Sequence, residues 1–192
     1  MSITIRRSYT SDSESDFEFA CATFNSCVEW LASKGLEAQW GAESWSADVK
    51  ERVRKMIPLE DAKGARRWIA EVDGEPAGYL DITPFRSDHL PMTAEDKPGK
   101  ELFLKTLAVH RKFVGRGVGE FLLQFAKKLA VEEKADWLRL VCWRGPPGKD
   151  GLVKYYLRNG FSRAREFANP PRTRNEKEWP GQLFEIKVSD LQ

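Results

Sequence analysis

The segment from Leu102 to Trp143 constrains this chain most, because its apolar pattern changes period twice. Leu102-Phe103-Leu104-Lys105-Thr106-Leu107-Ala108-Val109 is a largely apolar run, as expected of a strand buried on both faces. Past a short loop and three glycines, Val118, Phe121, Leu122, Phe125 and Leu129 recur at helical spacing and predict a helix over 117–134. Trp137 to Trp143 then reads as a second strand. A strand, a crossover helix and a strand make the two strands parallel neighbours in one sheet. All-α and all-antiparallel folds are excluded by this one segment.

The remaining elements assemble around it. Ile3 to Tyr9 alternates as a short strand. Ser11 followed by Glu14 predicts a capping box, and Phe17, Ala20, Cys21, Phe24, Val28 and Leu31 mark a helix that stops at Gly35. A second, more polar helix is expected from Ala47 to about Met56. Trp68 to Val72 and Pro76 to Ile82 flank Asp73-Gly74, the dipeptide suited to a type I′ hairpin turn. Residues 84–98 read as a loop, Asp150 opens a short helix ending at Asn159-Gly160, and strands near 161–167 and 183–188 close the chain around a polar arm, 169–181. The tail strand, 183–188, is expected to be exposed. The order β–α–α–β–β–β–α–β–α–β–β predicts a single α/β domain over 1–192. Its core is a mixed sheet of about seven strands with helices on both faces.

Several functions are excluded. No apolar run approaches the roughly 20 residues of a membrane span, and the N-terminus lacks the apolar core of a signal peptide. Cys21, Cys27 and Cys142 lie in apolar periodic segments and read as reduced thiols of a cytoplasmic protein. Two histidines, His89 and His110, with no paired cysteines argue against a metal site, and no GxSxG elbow supports a serine hydrolase. The net charge of +2 argues against a dedicated nucleic-acid binder. That total conceals a split. Residues 1–98 carry 12 basic and 18 acidic side chains, and residues 99–192 carry 19 and 11.

The chemistry is carried by Val114-Gly115-Arg116-Gly117-Val118-Gly119, between the apolar strand and the amphipathic helix. Glycines at alternate positions allow positive φ and close approach of a ligand to the backbone. A helix start adds unpaired N–H donors and a positive dipole end, together an anion site suited to a pyrophosphate. The run lacks the GK[ST] of a P-loop, and its GxGxG spacing is not the GxGxxG of a dinucleotide fingerprint. A tight strand–helix turn with glycines for packing only is the alternative from these residues alone.

With Leu107-Ala108-Val109 before it and Leu122-Leu123 after it, this run resembles motif A of the GNAT superfamily of acetyl-CoA-dependent N-acetyltransferases. Tyr156-Leu157-Arg158-Asn159-Gly160-Phe161 resembles that superfamily's motif B ending, Tyr-x-x-x-Gly-Phe, one helix and one strand downstream. The sequence departs from the pattern at Val114, where the family has Gln or Arg, and at Lys149, where an Asn is common. The resemblance implies that the parallel strands splay at their carboxyl ends and that acetyl-CoA lies in the gap. The pantetheine would pair with the backbone of Leu107, Ala108 and Val109. The pyrophosphate would rest on the N–H groups of Val114, Gly115, Arg116, Gly117, Val118 and Gly119, with Arg116 and Arg111 nearby. Coenzyme A carries roughly three to four negative charges, which such donors and cations complement.

The reaction so implied is direct attack of a primary amine on the thioester in a ternary complex. The amine must lose a proton, since a free alkylamine titrates near pH ~10. A backbone N–H near Leu107 would serve the developing oxyanion, and Tyr156, at the motif B position, would be the general acid to the departing thiolate. For the base, Glu101 heads the motif A strand, Asp81 lies on the strand before it, and water relaying to bulk is the third option. Trp40 and Asp81 are the candidate acceptor contacts. The expected partner is a small-molecule amine, with a protein amine or a non-catalytic acyl-CoA-binding module as alternatives. No metal, nucleic acid or membrane partner is expected, and the chain is read as a monomer or homodimer.

Overall fold

A computed structural model describes residues 1–8, 13–86, 90, 92–169 and 179–191. The hairpin forms where Asp73-Gly74 places it. Both residues take positive φ, 50° and 85°, and join β2 (Arg66–Val72) to β3 (Glu75–Thr83). β1 (Ile3–Ser8) pairs antiparallel with β2, and β3 with β4 (Glu101–Val109). β4 runs parallel to β5 (Trp137–Trp143) through the crossover helix α3 (Val118–Glu132). Beyond β5 lie β7 (Trp179–Lys187) and then β6 (Ser162–Asn169), so the sheet order is β1-β2-β3-β4-β5-β7-β6.

The final strand is therefore interior, not the exposed tail strand that its terminal position suggested. Leu183 and Phe184 are fully buried because β5 and β6 flank them and side chains cover both faces. β6 takes the edge.

Side chains divide by period-two alternation. Ala70, Leu80, Leu104 and Leu140 face α3, while Ile69 and Tyr79 face α1 (Glu14–Ser33) on the opposite side. The N-cap of α1 is Ser13, whose Oγ accepts from the N–H of Asp16, two residues beyond the cap predicted at Ser11, which lies outside the described residues. The helix ends as its glycine requires. Gly35 has φ +65°, its N–H reaches Ala32 O, and the N–H of Leu36 reaches Leu31 O.

α2 (Ala47–Ala62) runs six residues past the expected stop at Met56, carrying Pro58 inside it. A proline withholds one helical hydrogen bond, yet tertiary contacts hold the extra turns. Ile57 packs on Phe17 and Cys21 of α1, and buried Arg67 of β2 binds both Glu60 and Asp61. α4 (Gly151–Arg158) packs on β5 and β6.

One irregularity in β4 positions the site. Ile82 pairs with Leu104 but Asp81 pairs with Thr106, so Lys105 is an extra residue on β4. Such a bulge bends its strand and reverses the alternation. Leu102 and Leu104 face α3 before it, and Leu107 and Val109 after it. The parallel pairing with β5 ends at the same place, running only from Glu101↔Trp137 to Leu104↔Leu140. The two strands then diverge, as the family resemblance implied.

The closed end of this wedge is held by buried charge. Arg139, fully buried on β5, reaches Glu101 (2.8 Å) and Glu185 (3.0 Å). Arg86 binds Glu101 and Asp96 (2.7 Å each), and Arg165 binds Asp96 (3.0 Å), strapping the 84–98 segment to the sheet. Burial alone would raise the Asp96 carboxyl, but bonds from Arg165, the Thr93 N–H and Arg86 hold it at about 2. A depressed carboxylate stabilises the fold fully above its unfolded value of 3.8 and loses that contribution as pH falls toward 2. Asp96→Asn is therefore expected to lower Tm at pH 7 and to flatten the dependence of Tm on pH between about 4 and 2, read by thermal melts across that range.

Ion pairs cross between the two halves in both senses. Lys105–Glu60, Lys112–Glu75 and Arg165–Asp96 join a cation of the second half to an acid of the first, and Arg66–Glu133, Arg86–Glu101 and Lys97–Glu185 run the other way. These pairs tie the halves together without accounting for the asymmetry.

Candidate active site

At the open end of the wedge, β4 passes through a single 3-10 turn (Arg111–Phe113) into the glycine run. Gly115 and Gly117 take φ of +81° and +77°, and a Cβ built on either meets nothing within 4 Å. Gly117 is the N-cap of α3 and offers no side-chain cap. The N–H groups of Val114 and Arg116 are used within the turn, bonded to Arg111 O (3.4 Å) and Phe113 O (3.3 Å). The cradle is thus narrower than the expected run of six donors. The N–H groups of Gly115, Gly117, Val118 and Gly119 have no backbone acceptor among the described residues, and they sit at the positive end of a 15-residue helix.

The side chains expected beside this cradle are sorted by the fold. Val114 is exposed. Arg116 is exposed, its guanidinium 5.4 Å from the Phe113 ring. Arg111 is drawn to α1, stacked 4.0 Å over Trp30, while its N–H donates to Ser26 Oγ (3.2 Å). Cys27, the next residue of α1, donates its thiol to Val109 O (3.4 Å). Burial raises this thiol, which keeps it a neutral donor. One carbonyl of the Leu107–Val109 edge is therefore already engaged by α1, a contact that no sequence spacing signalled.

The two tyrosines of α4 point differently. Tyr156 is buried in the core, its ring 5.7 Å from both Phe161 and Phe184. Burial, with Cys142 and Tyr155 adding to it, raises its phenol well above the usual range, so it stays protonated. Tyr155 turns toward α3. A Cβ on Gly119 would lie 3.4 Å from its hydroxyl, 3.6 Å from Val109 Cγ2 and 4.0 Å from Leu107 Cδ2.

On the α1 face, Trp40 is half-buried, 5.4 Å from Phe24, which stacks on Trp45 (4.7 Å) and meets Tyr79 edge-on (6.2 Å). Asp81 follows Tyr79 by two residues on the same face of β3. It does not present an open carboxylate. It is buried with Oδ2 3.7 Å from Arg67 and 3.8 Å from Lys105, and its Oδ1 has no hydrogen-bond partner among the described residues. Burial, opposed by Arg67 and Lys105, raises its carboxyl to about 6. Trp40 and Asp81 thus share a side of the sheet without touching. Glu101 does not present an open carboxylate either, because Arg86 and Arg139 both bind it at the closed end of the wedge.

Sequence reasoning missed Lys105 as the bulge. A charge interrupting the apolar run was its one local signal. It also missed a cavity of about 280 Å³ at the end of β5, lined by Glu37, Trp143, Pro146 and Pro180. Its rim is tied by Trp179 Nε1 to Gln39 O (3.2 Å) and by Lys149 to Lys34 O (3.0 Å). The arm expected to complete this side, including Arg172, Arg174 and Lys177, lies largely outside the described residues, as does His89. Among the described residues no three His, Cys, Asp or Glu side chains form a metal-sized group, and no helix is long and apolar enough to cross a membrane.

A bulged strand diverging from its parallel neighbour, opening onto a glycine turn that starts the crossover helix, defines an acyltransferase class. Residues 25–161 match the Acetyltransferase (GNAT) family, and the chain belongs to that family. It is 27% identical over 135 residues to YesJ, an uncharacterized N-acetyltransferase of Bacillus subtilis (strain 168), an overlap of 70% of this chain and 69% of that protein. Its fold superposes on the ribosomal-protein-alanine N-acetyltransferase of Brucella melitensis with a TM-score of 0.66 at 19% identity, covering 96% and 99% of the two chains. It also superposes on the PaiA N-acetyltransferase of Thermoplasma acidophilum in complex with coenzyme A, with a TM-score of 0.59 at 16% identity, covering 97% and 99%.

Proposed function

We propose that this chain transfers the acetyl group of acetyl-CoA to a primary amine of a small molecule, by direct attack in a ternary complex. The observation that carries this reading is the coincidence of three features. The bulge at Lys105, the end of the β4–β5 pairing at Leu104 and the glycine turn follow one another along β4 into the start of α3. The fit to a phosphopantetheine ligand rests on the free N–H groups of the cradle and the open space around Gly115 and Gly117. Acetyl-CoA supplies the activated thioester.

The chain's own residues then have distinct tasks. Gly115, Gly117, Val118 and Gly119 bind the pyrophosphate through their N–H groups, and Arg116 adds charge. The backbone beside Leu107 offers an N–H to the developing oxyanion. Tyr156, at the motif B position, donates the proton to the departing thiolate. On the acceptor side, Trp40 with Phe24 gives an aromatic wall.

Acetyl-CoA should raise the melting temperature, since it binds only the folded chain. No shift at millimolar acetyl-CoA would overturn the proposal. Release of free thiol across a panel of small amines, N-terminal peptides and lysine peptides then assigns the acceptor. Turnover confined to peptides would transfer the assignment to a protein amine. Binding without turnover on any amine would make the chain a binding module.

A further inference from the structure

We infer that Tyr155 is a cofactor-positioning residue, its hydroxyl donating a hydrogen bond to an oxygen of the phosphopantetheine arm where the arm leaves the start of α3. The inference rests on the functional reading above and adds to it a residue that motif matching passes over.

Adjacent helical residues point about 100° apart, so only one of Tyr155 and Tyr156 can face the sheet core beneath α4. Tyr156 takes that place among Phe161, Phe184 and Cys142. The Tyr155 side chain is directed instead to the junction of α3 with the post-bulge part of β4. Its hydroxyl lies 3.4 Å from the position a Cβ would take on Gly119, beside Val109 and Leu107. Those three residues belong to the glycine cradle and to the strand edge of the wedge, so the hydroxyl sits where both meet.

Two further facts give the hydroxyl a chemical sense. Its oxygen is buried and has no hydrogen-bond partner among the described residues. Buried hydroxyls are nearly always paired, and one left unpaired costs free energy that a ligand oxygen would recover. The group is also fixed as a donor. Burial first, and then the charge of Glu120 in the first turn of α3, disfavours the phenolate. A neutral O–H beside a helix N-terminus suits a hydroxyl, amide or phosphate oxygen of the arm. Gly119 lies beside this hydroxyl, where a Cβ would make an ordinary 3.4 Å contact with the Tyr155 oxygen.

The test separates binding from turnover in two conservative variants. Tyr155→Phe keeps the ring and removes only the oxygen. It is expected to raise the Kd for coenzyme A, measured by titration calorimetry, about tenfold, the size of one hydrogen bond to a charged or strongly polar partner. Its kcat at saturating acetyl-CoA should stay within about twofold of wild type, and its ligand-free Tm should not fall. Tyr156→Phe serves as the contrast, with kcat reduced and the Kd for coenzyme A nearly unchanged. An unchanged Kd in Tyr155→Phe, with wild type binding coenzyme A, overturns this inference alone. Failure of wild type to bind coenzyme A overturns the functional reading and this inference with it.

Discussion

Arg139→Ala is expected to destabilise the fold by roughly 3–5 kcal/mol, the cost of removing one partner from a buried ion pair. Arg139 is fully buried, and its guanidinium donates to Glu101 (2.8 Å), to Glu185 (3.0 and 3.2 Å) and to Lys97 O (2.8 Å). Truncation leaves two carboxylates in low dielectric. Arg86 still serves Glu101, and half-exposed Lys97 still serves Glu185, so the loss falls short of two bare charges. Against a total stability of about 5–15 kcal/mol, such a loss is a large fraction. Urea denaturation of the variant reads it directly, and a loss below about 1 kcal/mol would show that the network is not the clamp described here. Arg139 lies opposite Phe103 in the four-residue parallel pairing, from which β4 and β5 diverge. Loosening it is therefore also expected to weaken binding at the open end.

Tyr156→Phe is expected to lower kcat tenfold or more while leaving the KM for acetyl-CoA little changed. A proton donor must hold its proton until the thiolate leaves, and a tyrosine phenol, with an ordinary pKa of about 10, is protonated in the neutral range. The variant preserves the ring that packs on Phe161 and Phe184, so a fall in kcat with unchanged Tm separates chemistry from packing. An unchanged kcat would return Tyr156 to the core alone. Comparison of steady-state rates with a melt of the same preparation settles it.

Much of this architecture was legible because it is local. The period of 102–109, the helical spacing of 118–129 and the apolar run 137–143 together require a crossover, and Asp73-Gly74 specifies its hairpin by backbone sterics. The glycine cradle was visible for the same reason, since positive φ at Gly115 and Gly117 is a property of those residues. What escaped depended on contacts distant in sequence. The length of α2 past Pro58 rests on Ile57 meeting α1 and on Arg67 meeting Glu60 and Asp61. The engagement of Glu101 rests on Arg86 and Arg139, which its own strand does not contain.

The site divides along the same line. By itself the sequence determined that a parallel strand pair would carry a glycine-started helix, because periodicity and the steric freedom of glycine act over a few residues. It determined that a glycine turn would open that helix and that two tyrosines would lie on the next one. Only the tertiary structure decided that Lys105 is the residue extruded from β4, since register is a property of two strands and not of one. Only packing decided that Tyr156 enters the core while the Tyr155 hydroxyl reaches Gly119, because the rotation of α4 is set by the surfaces it covers.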